Sequence, residues 1–226
     1  MRPCMRMFDN YSWIQYFYTE RENMIKHIVF DIGNVLFAYD PEYILHQLLP
    51  ENHFHKDYLK HFIHSQLWQD LDRGTLDESA LPDILMKKIP DPNLADNLQL
   101  IIQNFVYHLH LINGSRDLFL NLKQRYPIFL LSNFQAVPFA KLREIHPFLT
   151  QADGAVVSAH HQLMKPEPAI YLKLLSNHHL DPKECVFIDD LSENIEGAKS
   201  IGMKGIVFSS PESTQSALTD LGVELS

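Results

Sequence analysis

The sequence predicts an α/β fold: a parallel sheet with helices on both faces, interrupted by an inserted helical cap. Three observations predict it. Short apolar runs recur along the chain, and each delivers polar residues at its end. Helical segments alternate with these runs at βαβ spacing, which requires a parallel sheet covered on both sides. One long block, residues 41–110, has helical periodicity and no convincing strand, so it stands outside the sheet.

The first strand covers 27–32, a β-branched and aromatic run that ends in Asp31-Ile32-Gly33. Such a run reads as a buried parallel strand, with its carboxylate where open α/β sheets place ligands. Asp40-Pro41 opens the helical block, with Asp as cap and Pro at the first helical position. Tyr58, Leu59, Phe62, Ile63 and Leu67 recur at helical spacing, and Leu94, Leu98, Ile101, Ile102, Phe105 and Leu109 form a second stripe. Between them, Thr75-Leu76-Asp77-Glu78 reads as a capping box after the Asp72-Arg73-Gly74 turn.

Beyond the block come a helix over 115–122 and strands over 126–131 and 154–158. A helix over 166–178, a strand over 185–188, a helix over 192–201 and a strand over 205–208 complete the sheet. The expected organisation is a core of residues 24–40 and 111–226, a cap of 41–110, and an extension of 1–23. The extension holds Phe8, Tyr11, Trp13, Tyr16, Phe17 and Tyr18, interrupted too often by polar residues for a secretory signal. It is expected to be an accessory helix, with an upstream translation start as the other reading.

Composition narrows the function. A hydrophobic share of 46% with 21% charged residues is that of a soluble globular protein. The net charge of −9 argues against a grip on nucleic acid, and no apolar run is long enough for a membrane span. Cys4 and Cys185 have no nearby partner in the sequence, which points to a reducing compartment and so to the cytoplasm. The oligomeric state is not legible.

Four segments carry chemistry. A carboxylate at a strand end, beside a bound cation, can attack phosphorus and form an aspartyl phosphate, splitting hydrolysis into two easier steps. Asp31 alone is more often a turn residue; its companions make it the candidate nucleophile. Asp189 and Asp190 close an apolar strand. Asp190 is expected to ligate a metal directly, and Asp189 through water or a hydrogen bond. With Asp31 and the Gly33 carbonyl they form a hard-oxygen set suited to Mg²⁺. Ser132 and the backbone N–H of Asn133 can donate to phosphate oxygens. Lys165, before Pro166-Glu167-Pro168, can neutralise charge on Asp31 and on the transferring phosphoryl group. Asn194, one helical turn past Asp190, is expected to orient it. In the cap, Arg73 is a candidate phosphate or sugar contact, while Trp68 either packs between helices or lines the pocket.

These motifs resemble the haloacid dehalogenase (HAD) superfamily over residues 25–210. Asp31-Ile32-Gly33-Asn34-Val35, the Arg73-Gly74 turn, and Asp189-Asp190 followed by Asn194-Ile195-Glu196-Gly197-Ala198 look most like its bacterial α-D-glucose-1-phosphate phosphatase branch. The resemblance implies a HAD-like Rossmannoid core and Mg²⁺-dependent hydrolysis of a small phosphorylated metabolite, expected to be a sugar phosphate. It also exposes a departure. Most phosphatases of the superfamily carry a second aspartate two residues after the nucleophile, which protonates the leaving oxygen; here that position is Gly33. General acid catalysis is typically worth about 10²–10⁴-fold. Either the leaving group needs little protonation, as a sugar hemiacetal oxygen would, or the chain is a slow relative retained for binding. Asp40 is a substitute acid only if it is not the helix cap it resembles. A haloacid dehalogenase proper also lacks the second aspartate, but it has no use for metal, and the Asp189-Asp190 pair argues against it. The thirteen histidines, His53, His55, His61 and His64 among them, lack a zinc-ligand pattern and read as solvated.

Overall fold

The computed structural model describes residues 24–225, so the extension expected at 1–23 lies outside the described residues. Five strands form one parallel sheet in the order β5-β4-β1-β6-β7. They are β1 (His27–Phe30), β4 (Ile128–Ser132), β5 (Gly154–Val157), β6 (Cys185–Asp189) and β7 (Lys204–Val207). Two further strands, β2 (Phe37–Ala38) and β3 (His110–Leu111), pair antiparallel at the junction of core and cap.

Alternation along the strands builds the two layers. Ile28, Phe30, Leu130 and Ile188 join one apolar cluster with Leu118 and Phe119, while Val29, Phe129, Leu131 and Phe187 join the other with Ile170, Tyr171, Leu174 and Ile195. Successive side chains point to opposite faces, so both faces must be apolar when helices cover both. The covering helices are α6 (Ser115–Lys123), α7 (Ala136–Ile145), α8 (Ser158–His161), α9 (Pro168–His178), α10 (Ser192–Ser200) and α11 (Pro211–Asp220).

The cap is helical, as expected: α1 (Pro41–Leu48), α2 (His55–Tyr58), α3 (Gln66–Arg73), α4 (Leu81–Leu85) and α5 (Leu94–Asn104). Asp40 caps α1 by accepting from the Tyr43 N–H at 3.0 Å, with Pro41 in the first turn. Leu94, Leu98, Ile101 and Ile102 are all buried along α5. Ser65 caps α3, and Gly74, at φ 75°, ends it in the left-handed region that favours glycine.

Several boundaries differ from expectation. No capping box forms at Thr75; Asp77 caps a single 3₁₀ turn over Glu78–Ala80. The helix expected from residue 166 starts at Pro168, because Lys165-Pro166-Glu167 is used as a connecting turn. Helix α7 goes beyond the sequence expectation: Pro138 inside A-V-P-F-A looks like a breaker but sits in the first turn, where proline is tolerated. The C-terminal α11 is likewise additional, since it buries only Pro211, Thr214 and Leu218 and offers little apolar periodicity.

Candidate active site

Register brings three motifs together. Phe30 lies beside both Leu130 and Ile188, so Asp31 leaves β1 between the carboxyl ends of β4 and β6. Its N–H still donates to the Ile188 carbonyl at 2.9 Å, which fixes its start. Ser132 and Asp189, the last residues of the neighbouring strands, therefore flank it.

Lys165 completes the centre from the connection after α8. Its ammonium lies 2.8 Å from Asp31 Oδ1 and 2.6 Å from Asp189 Oδ2, with all three side chains almost fully buried. Burial opposes the charge on Lys165, yet the two carboxylates hold its pKa above the ordinary lysine value. Burial pushes the Asp31 carboxyl up, while Lys165 and the Ser132 hydroxyl favour its charged form.

Asn133 holds the lysine in place. Its Nδ2 donates to the Lys165 carbonyl at 3.0 Å and its Oδ1 accepts from the Lys165 N–H at 2.8 Å. The Asn133 side chain is thus committed to the lysine's backbone, while the group expected to meet phosphate is its backbone N–H. The two adjacent aspartates have separate surroundings. Asp189 is fully buried and accepts from Lys165, the Leu191 N–H and Asn194 Nδ2. Asp190 lines the cavity and accepts from Asn34 Nδ2 at 3.2 Å. Asn194 therefore steadies Asp189, not Asp190 as expected, because the helix α10 turns it back toward the buried strand end. Asn34, to which the sequence assigns no role, takes the place beside Asp190. It sits at φ 52° and also accepts from the Tyr39 N–H, tying Asp190 to the chain before the cap.

The carboxylate oxygens of Asp31, Asp189 and Asp190 lie within 4.8 Å of one another, and among the described residues this is the one group of three with metal-ligand spacing. An acidic trio at this spacing suits a small hard cation such as Mg²⁺. Gly33 lines the same cavity, and a β-carbon built there would meet nothing within 4 Å. No histidine joins a group of metal-ligand spacing among the described residues.

The cavity above these groups has a volume of about 270 Å³. Asp31, Gly33, Ser132, Asn133, Lys165, Asp190 and Asn194 line it from the core, and Tyr39, Trp68, Phe105, Leu109 and Phe134 supply apolar walls. Trp68 fills both of its expected roles, lining the cavity and packing edge-on against Phe62 and Phe105. Arg73 is not there. It pairs with Glu167 and donates to the Gln162 carbonyl, fastening the end of α3 to the turn after Lys165. Asp40 is absent from the lining, being engaged as the α1 cap. The acidic cap residue that does face the cavity is Asp72, for which the sequence alone suggests only a turn.

A buried carboxylate paired with lysine, an acidic trio and a cavity walled by the cap meet at the strand ends, where α/β hydrolases carry their sites. The haloacid dehalogenase-like hydrolase model matches residues 25–202, and the chain belongs to that family. Among curated relatives, sesquiterpene phosphatase astK of Aspergillus oryzae is 27% identical over 80% of this chain and 88% of its own. D-ribitol-5-phosphate phosphatase of Bacteroides thetaiotaomicron is 27% identical, over 80% and 90%. Drimenol cyclase drtB of Aspergillus calidoustus is 23% identical, but the match spans only 37% of its length. The HAD family enzyme bt-2542 of Bacteroides thetaiotaomicron, solved with magnesium and inorganic phosphate, superposes with a TM-score of 0.67. It is 21% identical over 82% of this chain and 95% of its own, a likeness of fold.

Proposed function

We propose that the protein is a Mg²⁺-dependent phosphatase of a small phosphorylated metabolite, with Asp31 as nucleophile. The observation that carries this is the juxtaposition of Asp31, Lys165 and the Asp189-Asp190 doublet at one cavity floor. Asp31 and Asp190, with the Gly33 carbonyl, would hold the cation, which when bound offsets the negative charge shared by carboxylates and phosphate.

The chain's own residues do the rest. Lys165 keeps Asp31 ionised and oriented, and its position between two carboxylates holds charge complementary to a phosphoryl group. Ser132 faces the same space with a hydroxyl donor. An Asp31 oxygen bonds phosphorus as the ester oxygen leaves; water then displaces the carboxylate and releases phosphate. The cap walls limit water around the reacting groups.

Two substrate classes divide the support. The sequence resemblance favours a sugar phosphate, and a D-ribitol-5-phosphate phosphatase stands among the relatives. The apolar wall of Tyr39, Trp68, Phe105, Leu109 and Phe134 favours an ester with an apolar body, the kind of substrate the name of astK suggests for that relative. A panel of sugar 1- and 5-phosphates, isoprenyl phosphates and aryl phosphates, assayed with Mg²⁺ and with EDTA, tests both. Turnover is expected only with metal and is expected to vanish in Asp31→Asn. Metal-independent halide release from a 2-haloacid, with no phosphate released from any ester, would overturn the reading.

A further inference from the structure

We propose that Asp72 supplies the proton to the leaving oxygen and then takes it back from the attacking water, filling from the cap a role for which the core offers no side chain at Gly33. The inference rests on the phosphatase reading above. Every carboxylate on the cavity floor is otherwise engaged. Asp31 forms the bond to phosphorus, Asp189 is saturated by Lys165, Leu191 and Asn194, and Asp190 belongs to the cation site. Lys165 is held between two acids, and Asp40 caps α1. Gly33 has space beside it but no side chain.

Asp72 stands apart from the acidic trio yet lines the same cavity, one helical turn after Trp68 on α3. It is anchored to the core on two sides. Gln135 Nε2 donates to its Oδ1 at 3.2 Å, and the Ser158 hydroxyl donates to its backbone carbonyl. The second carboxyl oxygen accepts no hydrogen bond from the described residues and is free to carry a proton. The surface that Asp72 retains opens on the cavity, while the packing around it pushes its carboxyl up to about 8, keeping it protonated near neutrality.

In the first step an Asp31 oxygen bonds phosphorus, the phosphorus–ester oxygen bond breaks, and the Asp72 proton passes to the departing alkoxide, giving the alcohol. In the second, the Asp72 carboxylate removes a proton from water as the water oxygen bonds phosphorus. The Asp31–phosphorus bond breaks, phosphate leaves, and both acids regain their starting states.

The test compares 4-nitrophenyl phosphate, whose leaving group needs little protonation, with butyl phosphate, whose alkoxide needs a proton. In Asp72→Asn and in Asp72→Ala the butyl-to-nitrophenyl ratio of kcat/KM is expected to fall on the order of 10²-fold. Asp72→Glu is expected to recover much of that ratio. A ratio is independent of the fraction of folded protein, so partial misfolding does not imitate the result, and recovery in Asp72→Glu separates proton transfer from a shifted cap. An unchanged ratio in both loss variants overturns the role of Asp72 alone. A wild-type protein inert on both esters with Mg²⁺ overturns the phosphatase reading, and this assignment with it.

Discussion

Asp72 and Arg73 are neighbours in sequence but have unrelated surroundings, because each helical step turns the side chain by about 100°. Arg73 points to Glu167 at the core turn, and Asp72 to the cavity. Asp72 also has a consequence for stability. Unfolded, its carboxyl titrates near the ordinary value of about 3.9; folded, burial lifts it to about 8. The folded state thus holds the proton more tightly, so its contribution is full below about pH 4 and is lost as pH rises through about 8. Asp72→Asn is expected to melt a few degrees above wild type at pH 9 and at nearly the same temperature at pH 4, read by thermal scans at both. Asp31 and the acidic doublet are legible in sequence because they end or follow apolar strands, and Lys165 because it precedes the Pro166-Glu167-Pro168 turn. Asp72 is not, because a lone acid on a helix gains meaning only from what the helix covers. Its spacing of four from Trp68 is the one signal available. The Asn133 clamp on Lys165 and the Asn34 contact to Asp190 depend on chain segments far apart in sequence, and nothing local announces them.

Among the elements, the cap hangs on a polar knot as well as on apolar stripes. Buried Asp91 accepts from Asn52 Nδ2 at 2.6 Å, and from the Tyr58 hydroxyl, Asn97 Nδ2 and the Asn93 N–H each at 2.9 Å. Burial alone would raise its pKa, but these donors together hold it below the ordinary range. Replacing the carboxylate by an amide sets an NH₂ against donors, so Asp91→Asn is expected to cost about 1–3 kcal/mol, measured by urea unfolding at neutral pH. Uniformly apolar strands such as β4 and β6 are readable because burial on both faces leaves no room for polar alternation. The two-residue strands β2 and β3 carry no period to detect, and their pairing is made by the junction they close.

On the scale of the molecule, cap and core are not separate in their packing. One apolar cluster runs from Tyr58, Phe62 and Trp68 in the cap to Phe30, Phe119 and Ile188 in the core. Arg73–Glu167 and Ser158–Asp72 add polar ties across the same boundary. The expected result is one cooperative transition. In a Trp13→Phe background, Trp68 fluorescence and far-UV circular dichroism should lose signal at the same midpoint; earlier loss of the fluorescence would show a cap that melts independently.

Strand β1 lies at the centre of the sheet, yet both of its partners follow much later in the chain, and Asn34 meets Asp190 across 156 positions. A ribosome extruding this chain would deliver the middle of the sheet long before either flank. Until β4 and then β6 arrive, the nascent polypeptide carries a greasy, unzipped segment with a lone acid at its tip. Such a vectorial history makes release from the translating ribosome the moment of greatest exposure to sticking, and makes folding slow for the size of the domain.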